Sequence, residues 1–414
     1  MRRTLSLLVV AASVVALAGT ASADDLNLFP GAARKPAAQA IPPGKQSKAG
    51  TLTVGTLETV NRIVGYGVGD GAERRTTFTY PGADYVKVHF KKLLLLPGDY
   101  VTVADRSGQE SYPYRGVEVL GLLESTSDRW AMSVTGDTAV VTLHSGAPDP
   151  LGLRDGVERL GVQVDKVARG YTPAERRRQG ESQGQGGGRE ESLCGDDDKT
   201  DSVCYRSSRP VVFERTQAVA RLLIHGTELC TGFRVGEQNR MLTNHHCFSD
   251  SDAAYNTEVW FNYRCAVCGG FDVVRPTKVW GEKVLSTDQE LDYTLFTVED
   301  FDQISTFGYL ELDDRRAERN EEVYIPQHPG GDPTMVAMAS DTDRGGTCRI
   351  KEPVFAGYRP DSDASYNSDT EGGSSGSPVL STGTNKVVAL HHFGGCPNAG
   401  VRSDLLYAEI AKLL

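Results

Sequence analysis

After residue 18 the sequence has no apolar run long enough to cross a membrane. The earlier apolar stretch, Leu5–Ala18, follows the basic start Met-Arg-Arg and precedes Ala21-Ser-Ala23, a small-residue cleavage site. This pattern is typical of a secretory signal peptide over residues 1–23. We therefore expect an exported protein, extracellular or periplasmic, with no membrane span.

Positive charge is scarce as well. Lys and Arg number 44 against 55 Asp and Glu, which gives a formal net charge of −11. A general nucleic-acid-binding protein would carry a basic surface, so this balance argues against one. The same acidity would mildly favour basic substrates.

The first 193 residues contain no cysteine, and all eight cysteines lie at or after Cys194. An even number confined to one region of an exported chain predicts a disulfide framework there. Cys265-Ala-Val-Cys268 has the spacing of half a zinc site, but no second cysteine or histidine pair at ligand spacing accompanies it. Disulfides are therefore favoured over a metal centre, and no cofactor is expected.

The composition divides the chain into a β-rich front part and a β-rich back part. Residues 24–50 lack periodicity and are predicted to be a flexible tail, whereas residues 51–171 hold short alternating segments such as Val86–Lys91. Regularly spaced short strands favour a small antiparallel β-sandwich. Residues 172–192, with three consecutive arginines and a Gly-Gly-Gly run, are predicted to be a linker. Residues 193–414, with a helical pattern at the end, fit a double β-barrel, so the predicted class is all-β.

The stretch Glu371–Leu380 combines a glycine-dense turn with three serines. Such a turn lets backbone N–H groups of Gly373, Ser374 and Ser375 point into one hollow, as an oxyanion hole requires. Ser375 would then be placed to attack the same carbonyl carbon. Pro378-Val-Leu380 restarts an extended apolar run, so the turn leads directly into a strand.

A histidine and a carboxylate that could serve this serine occur earlier in the chain. His246 precedes Cys247 at the end of an apolar strand, and Asp292 leads into the apolar segment Tyr-Thr-Leu-Phe. An unpaired buried charge is expensive, so the Asp292 carboxylate needs a hydrogen-bond partner. We expect that partner to be His246 Nδ1–H. The order along the chain is then His, Asp, Ser.

Three motifs in this order resemble the chymotrypsin-type serine proteases: Thr243-Asn-His-His-Cys247, Asp292-Tyr-Thr-Leu295 and Gly373-Ser-Ser-Gly-Ser-Pro378. Within that group the sequence is most similar to bacterial lysyl endopeptidases, which share Trp260-Phe-Asn-Tyr263 and His328-Pro329. The resemblance covers the predicted barrel region only. The preceding region is similar, in pattern alone, to the pre-peptidase and CUB-like sandwiches of secreted bacterial proteases.

The resemblance implies a secreted serine endopeptidase that acts on protein or peptide substrates, and we expect a monomer. Ser375 would be the nucleophile, His246 the general base and then acid, and Asp292 the residue that holds the imidazole. The backbone N–H groups of Gly373 and Ser375 would bind the oxyanion. His246 is preferred over His245 because the family's catalytic histidine directly precedes the cysteine.

The resemblance also implies a pairing of the cysteines. Three pairs follow from the family: Cys194–Cys396, Cys204–Cys268 and Cys230–Cys247. Cys265–Cys348 would be the fourth, because these two cysteines remain. Eight cysteines allow 105 connectivities, so the assignment needs a structure.

Specificity is predicted from the residues around the expected substrate pocket. In trypsin-type enzymes an acid six residues before the nucleophile binds a basic side chain, and that position is Asp369. Asp404 has the approximate place of the lysyl-endopeptidase acid, but its pattern puts it inside the C-terminal helix. The opposite wall would comprise His391, His392, Gly394 and Gly395. Glutamyl endopeptidases also have a histidine in this wall, so preference for glutamate is the alternative to Arg or Lys.

Two other function classes are compatible with parts of the pattern. A protease fold that has lost activity would act as a binding module, but such relatives generally lack at least one triad residue. A lipase or esterase would require the order Ser, Asp, His, which is not observed.

Maturation is predicted to differ from that of trypsin-type zymogens, because Ser374 carries no charge to pair with a new N-terminus. We expect a cut after Arg189 in the linker, with Lys199 as a competing site, to release the sandwich.

Overall fold

The computed structural model describes residues 51–66, 74–96, 98–115, 129–145, 161–172, 174–176, 178 and 192–414. The predicted signal peptide and tail lie outside the described residues, and so does most of the predicted linker, including Arg189. Among the residues described, no helix is both long enough and apolar enough to cross a membrane.

The described part of the chain is built mainly from strands. In chain order they are β1 (Leu52–Thr53), β2 (Gly55–Gly65), β3 (Arg75–Thr79), β4 (Tyr85–Leu94), β5 (Tyr100–Asp105), β6 (Ser111–Arg115), β7 (Arg129–Trp130), β8 (Val134–Thr135), β9 (Thr138–His144), β10 (Gly161–Gly170), β11 (Thr200–Asp201), β12 (Val219–Ile224), β13 (Glu228–Arg234), β14 (Met241–Thr243), β15 (Thr257–Phe261), β16 (Thr277–Asp288), β17 (Tyr293–Val298), β18 (Val323–Gln327), β19 (Met335–Ala337), β20 (Ile350–Phe355), β21 (Asp363–Tyr366), β22 (Pro378–Ser381), β23 (Val387–Phe393) and β24 (Asn398–Arg402). The α-helices are α1 (Tyr205–Ser208), α2 (Pro210–Thr216), α3 (Ser251–Tyr255) and α4 (Ser403–Ile410). Short 3-10 helices span Ser202–Cys204, Phe301–Gln303, Ser305–Phe307, Pro329–Gly331 and Ala411–Leu413.

Strands β2 to β10 form two antiparallel sheets, which we call the N-terminal sandwich. One sheet has the order β2-β10-β4-β7, with β8 also on β4, and the other has the order β3-β9-β5-β6. Their facing sides share one core, to which Val88 and Phe90 of β4 and Val101 and Val141 of the opposite sheet belong. The predicted sandwich is confirmed. Leu52–Thr53, inside the range predicted for it, pairs instead with β13.

Strands β13-β12-β15-β16-β17-β14 form the first barrel, and pairing of β13 with β14 closes it. Strands β11-β19-β18-β22-β23-β24-β21-β20 form an open sheet, the second barrel. A cluster of buried side chains joins the two, among them Leu242 and Leu295 of the first barrel and Leu390 and Val401 of the second. Helix α4 adds Leu406 and Ile410 to that cluster. The expected double β-barrel with a C-terminal helix is confirmed.

The N-terminal sandwich packs on the first barrel through a set of buried charged and polar side chains that we call the interdomain cluster. Its members are Lys87, Glu110, Ser133, Glu258 and Lys278. Lys87 Nζ lies 2.5 Å from Glu258 Oε1, and Lys278 Nζ lies 2.6 Å from Glu110 Oε1. The alternation of β4 predicts a half-buried strand, but Lys87 and His89 are buried too. Lys87 is covered by the first barrel, where it contacts Glu258, whereas His89 contacts Asp165 and Trp130 of the sandwich itself.

Disulfides join Cys194 to Cys396, Cys204 to Cys268, and Cys230 to Cys247, which are the three pairs implied by the family resemblance. The predicted fourth pair is wrong. Within residues 192–414 Cys265 and Cys348 are both buried and unbonded. Cys265 Sγ lies 3.4 Å from Asp201 Oδ1, whereas Cys348 belongs to the core of the second barrel. These two cysteines were paired only because they were the last two left, but in the fold they lie in different surroundings.

Candidate active site

His246 is positioned by the end of β14 and by a disulfide. The chain leaves β14 at Thr243, and the next residues up to Cys247 return toward β13 through the Cys230–Cys247 bond. His246 Nδ1 lies 2.7 Å from Asp292 Oδ2, and the His246 backbone N–H donates to Asp292 Oδ1 at 2.9 Å. One carboxylate therefore fixes both the ring and the main chain of this histidine. His245, by contrast, bonds to the hydroxyl of Thr287.

The contact with Asp292 decides which nitrogen of His246 can act as a base. An ionised carboxylate only accepts hydrogen bonds, so Nδ1 carries the proton and Nε2 presents a lone pair. Nε2 is buried and has no hydrogen-bond partner among the described residues. Burial alone would raise the pKa of Asp292, but His246 and His392 hold it well below its usual range. The acid is therefore charged at physiological pH.

Asp292 occupies a backbone conformation that a non-glycine residue rarely adopts. Its φ is 44°, in the left-handed region, directly before β17. The side-chain amide of Asn244 donates to the Asp292 carbonyl oxygen at 2.8 Å and supports this conformation. Such local strain persists only where the surroundings enforce it, and it is common at functional sites.

The turn that carries Ser375 is pressed against β13. Gly373 and Gly376 have φ values of 95° and 89°, and a Cβ on Gly376 would be only 2.0 Å from the Thr231 carbonyl oxygen. Thr231 N–H donates to the Ser375 carbonyl at 2.8 Å, and its hydroxyl donates to the Gly373 carbonyl at 2.8 Å. On the other side, Gly376 N–H donates to the His391 carbonyl at 3.0 Å. The turn is held from both barrels.

These contacts bring Ser375 and His246 to the same stretch of β13. Thr231, which bonds to Ser375, follows Cys230, whose Sγ lies within 4.8 Å of a ring nitrogen of His246 and of Cys247 Sγ. The two sulfurs are bonded to each other, so this group is not a metal site. The backbone of Ser375 and the ring of His246 are therefore both adjacent to residues 230–231.

His392, one of the four residues predicted for the substrate wall, contacts two carboxylates. Its side chain is fully buried, with Nδ1 3.0 Å from Asp292 Oδ2 and Nε2 2.7 Å from Asp363 Oδ2. We call His246, Asp292, His392 and Asp363 the catalytic cluster. Both ring nitrogens of His392 are used inside the protein, which leaves none for a substrate.

His391 is also buried, and its Nδ1 shares a hydrogen bond of 2.7 Å with the hydroxyl of Tyr366. Burial, together with the nearby charges of His392 and His246, lowers the pKa of His391 to about 3. It is therefore neutral at physiological pH. Gly394 and Gly395, predicted to be open to substrate, are partly exposed.

Asp369, the predicted specificity acid, is buried and engaged with the start of the barrel region. Its two oxygens accept the backbone N–H groups of Cys194 and Asp198, each at 2.8 Å. Burial raises the pKa of Asp369 above its ordinary value, although these hydrogen bonds oppose the shift. Asp404, the other acid considered, lies in the first turn of α4 and pairs with Arg402.

Sequence reasoning missed Asp363, Thr231 and Asn244. Asp363 begins β21, in which every residue is buried, and an acid entering an apolar strand is the pattern that singled out Asp292. The same reasoning could have found it. Thr231 and Asn244 act through contacts with residues distant in the sequence, and no local pattern marks them.

Residues 230–390 match the family of trypsin-like peptidase domains. Secreted RxLR effector protein 73 of Plasmopara viticola is 34% identical over 343 residues, which cover 79% of this chain and 79% of that protein. Similar solved structures include a Glu endopeptidase (19% identity, TM-score 0.39, 53% of this chain and 98% of that one). Another is the active form of the Rv3671c protease from M. tuberculosis (17% identity, TM-score 0.36, 50% of this chain and 86% of that one).

Proposed function

This chain belongs to the trypsin-like serine peptidase family, and from that premise we propose that it is a secreted endopeptidase using Ser375, His246 and Asp292. The proposal rests on two hydrogen bonds that Asp292 accepts from His246, one from the ring Nδ1 and one from the backbone N–H. The remaining ring nitrogen, Nε2, has no hydrogen-bond partner among the described residues and can act as a base for Ser375. Secretion is supported by the signal-peptide pattern, by three disulfides and by the secreted relative.

The chemistry is acyl transfer in two halves. His246 Nε2 takes the proton of the Ser375 hydroxyl while Oγ bonds to the substrate carbonyl carbon, and Asp292 stabilises the imidazolium. Nε2 then passes that proton to the leaving amine, which departs and leaves an ester on Ser375. Water, deprotonated by the same nitrogen, hydrolyses the ester. The backbone N–H groups of Gly373 and Ser375 hold the negative oxygen in both halves.

The test is peptide hydrolysis by the full chain and by two alanine variants of the same turn. Ser375→Ala should abolish turnover of a fluorogenic peptide, because no other group can form the ester. Ser377→Ala is the matched control, since its buried hydroxyl has no hydrogen-bond partner among the described residues. Equal turnover by Ser375→Ala and the unmodified chain would remove this serine from the mechanism.

For specificity we propose cleavage after Arg or Lys, with the charge of Asp369 as its source. The two backbone N–H groups that Asp369 accepts keep it in place and leave lone pairs on both oxygens. Specificity for glutamate is the alternative, in which His391 would face the substrate side chain.

Values of kcat/KM for peptides with Arg, Lys, Glu or Phe before the cut distinguish these two possibilities. Asp369→Ser should lower the values for Arg and Lys peptides far more than for Phe. Asp404→Ser is the control, because its carboxylate pairs with Arg402. A loss confined to Asp404→Ser would favour the lysyl-endopeptidase type of pocket, and a wild-type preference for Glu would favour the alternative.

A further inference from the structure

His392 lies between two carboxylates that come from different barrels. Asp292 precedes β17 of the first barrel, and Asp363 begins β21 of the second. His392 Nδ1 is 3.0 Å from Asp292 Oδ2, and Nε2 is 2.7 Å from Asp363 Oδ2. Ionised carboxylates have no proton to donate, so both ring nitrogens must carry one. The geometry is therefore that expected of a histidine cation in a fully buried position.

The surroundings of His392 favour that charge. Burial by itself would lower its pKa, but the hydrogen bonds that it donates to the two carboxylates, together with their charges, raise it to about 9. The other titratable groups that face it are His391 on the same strand, which is neutral, and His246 on the far side of Asp292. The ring of Tyr358 contacts it edge-on, with centroids 5.7 Å apart.

We propose that His392 and Asp363 are positioning residues for the catalytic acid. Anchored by Asp363, the charged imidazole fixes the Asp292 carboxylate toward His246 and fastens the first barrel to the second at the catalytic centre. This inference rests on the proposed function. Neither residue touches substrate, because both side chains are completely buried. Without this anchor, Asp292 Oδ2 loses one of its two imidazole donors.

The arrangement implies a loss of activity at alkaline pH. Above about pH 9 His392 gives up one proton, and one ring nitrogen then faces a carboxylate without a hydrogen between them. Because the folded-state pKa is raised, the positioning is complete below it and is lost as the pH rises through it. Asp363→Asn removes one of the two charges that raise this pKa, so the alkaline limb must move toward neutral pH.

The experiment compares kcat and KM against pH for the full chain, Asp363→Asn and the control Asp343→Asn. Asp343 is also a buried carboxylate of the second barrel, but it bonds to Arg349 and Asn367. Asp363→Asn should lower kcat at pH 7 by roughly tenfold to a hundredfold, as losing a charge-assisted hydrogen bond does. KM should stay unchanged, and the alkaline limb should shift to lower pH. An alkaline limb of Asp363→Asn that coincides with that of the unmodified chain would overturn the proposal.

A second measurement does not depend on activity or on that variant. Nitrogen NMR of histidine-labelled Ser375→Ala protein, with His392→Gln for assignment, should show both His392 ring nitrogens protonated at pH 7. A neutral tautomer there would also overturn the proposal. If the unmodified chain shows no Ser375-dependent hydrolysis, the proposed function fails and this inference with it. If hydrolysis depends on Ser375 but the limb does not move, only this inference fails.

Discussion

The interdomain cluster and the catalytic cluster are both buried groups of charge at a junction between sheets, yet they differ in how completely their atoms are paired. In the interdomain cluster, Glu258 accepts hydrogen bonds from Lys87, Ser133 and Trp260. Lys278 donates to Glu110 and to the Ser133 carbonyl. In the catalytic cluster, His246 Nε2 is left without a partner among the described residues.

This difference in hydrogen bonding distinguishes a cluster that joins two sheets from a cluster that takes part in a reaction. Leaving a buried polar atom unpaired costs free energy, so a cluster that serves only to join two sheets should satisfy every member. A base must keep one lone pair available to a proton from outside. Breaking the interdomain cluster should therefore reduce stability with little change in kcat. Breaking the catalytic cluster should reduce kcat first.

The strongest test of this contrast is His246→Ala, alone and combined with Ser375→Ala. Either single change should reduce kcat by on the order of a millionfold, because base and nucleophile act as one unit. The double variant should be little worse than either. Single-turnover assays on a fluorogenic peptide measure all three. If the two losses multiplied instead, the residues would be acting independently.

Asp292→Asn should have a smaller effect, about ten-thousandfold in kcat. The amide N–H of the new side chain can donate a hydrogen bond to Nδ1, which favours the His246 tautomer with its proton on Nε2, although the shape of the site is kept. A pH profile of kcat against that of the unmodified chain measures the change. Activity within tenfold of the unmodified chain would show that the carboxylate charge is not needed.

In the interdomain cluster, Glu258→Gln should destabilise the protein by about 3–5 kcal/mol, because it leaves buried Lys87 and Lys278 without their shared counter-charge. Denaturant unfolding gives the free energy, and kcat of the folded variant should be nearly unchanged. Glu352→Gln is the control, since its pair with Arg319 is exposed and screened by solvent. A large loss of kcat without loss of stability would reverse the contrast.

The smallest expected effect is a change in how the free energy of unfolding depends on acidic pH. Burial opposes ionisation of Glu258 and Glu110. The charges of Lys87 and Lys278 nevertheless lower the pKa of Glu258, and the charge of Lys278 lowers that of Glu110, in both cases below the ordinary value of 4.5. Their contribution to stability is complete above that value and is lost as the pH falls through the lowered values. The free energy of unfolding, measured between pH 7 and pH 3, should fall less steeply in Glu258→Gln. Parallel curves would mean that Glu258 does not change its pKa on folding.

What could be predicted from the sequence is local or carried by family motifs. This class includes the end of the strand before His246, the start of the strand after Ser375 and the three disulfides implied by the family. The burial of Lys87 could not be predicted, because alternation reveals two faces of a strand but not a barrel that covers the second one. The contacts of His392 could not be predicted for a related reason. They depend on Asp292 and Asp363, which are distant from His392 in the sequence.

The two-residue strand β1 changes what a cut in the linker would achieve. It stands before the N-terminal sandwich in the chain, pairs with β13 at Leu229, and places Leu52 so that a Cβ on Gly372 would be 3.1 Å from its Cδ1. The sandwich is thus attached to the barrels in two places, by strand β1 at its N-terminal end and by the interdomain cluster. We therefore expect that a cut in the linker behind it, as after Arg189, yields a nicked protein whose two chains remain together, and not the release of the sandwich that the sequence suggested. The front part would then remain bound to the barrels and support the turn that contains Ser375.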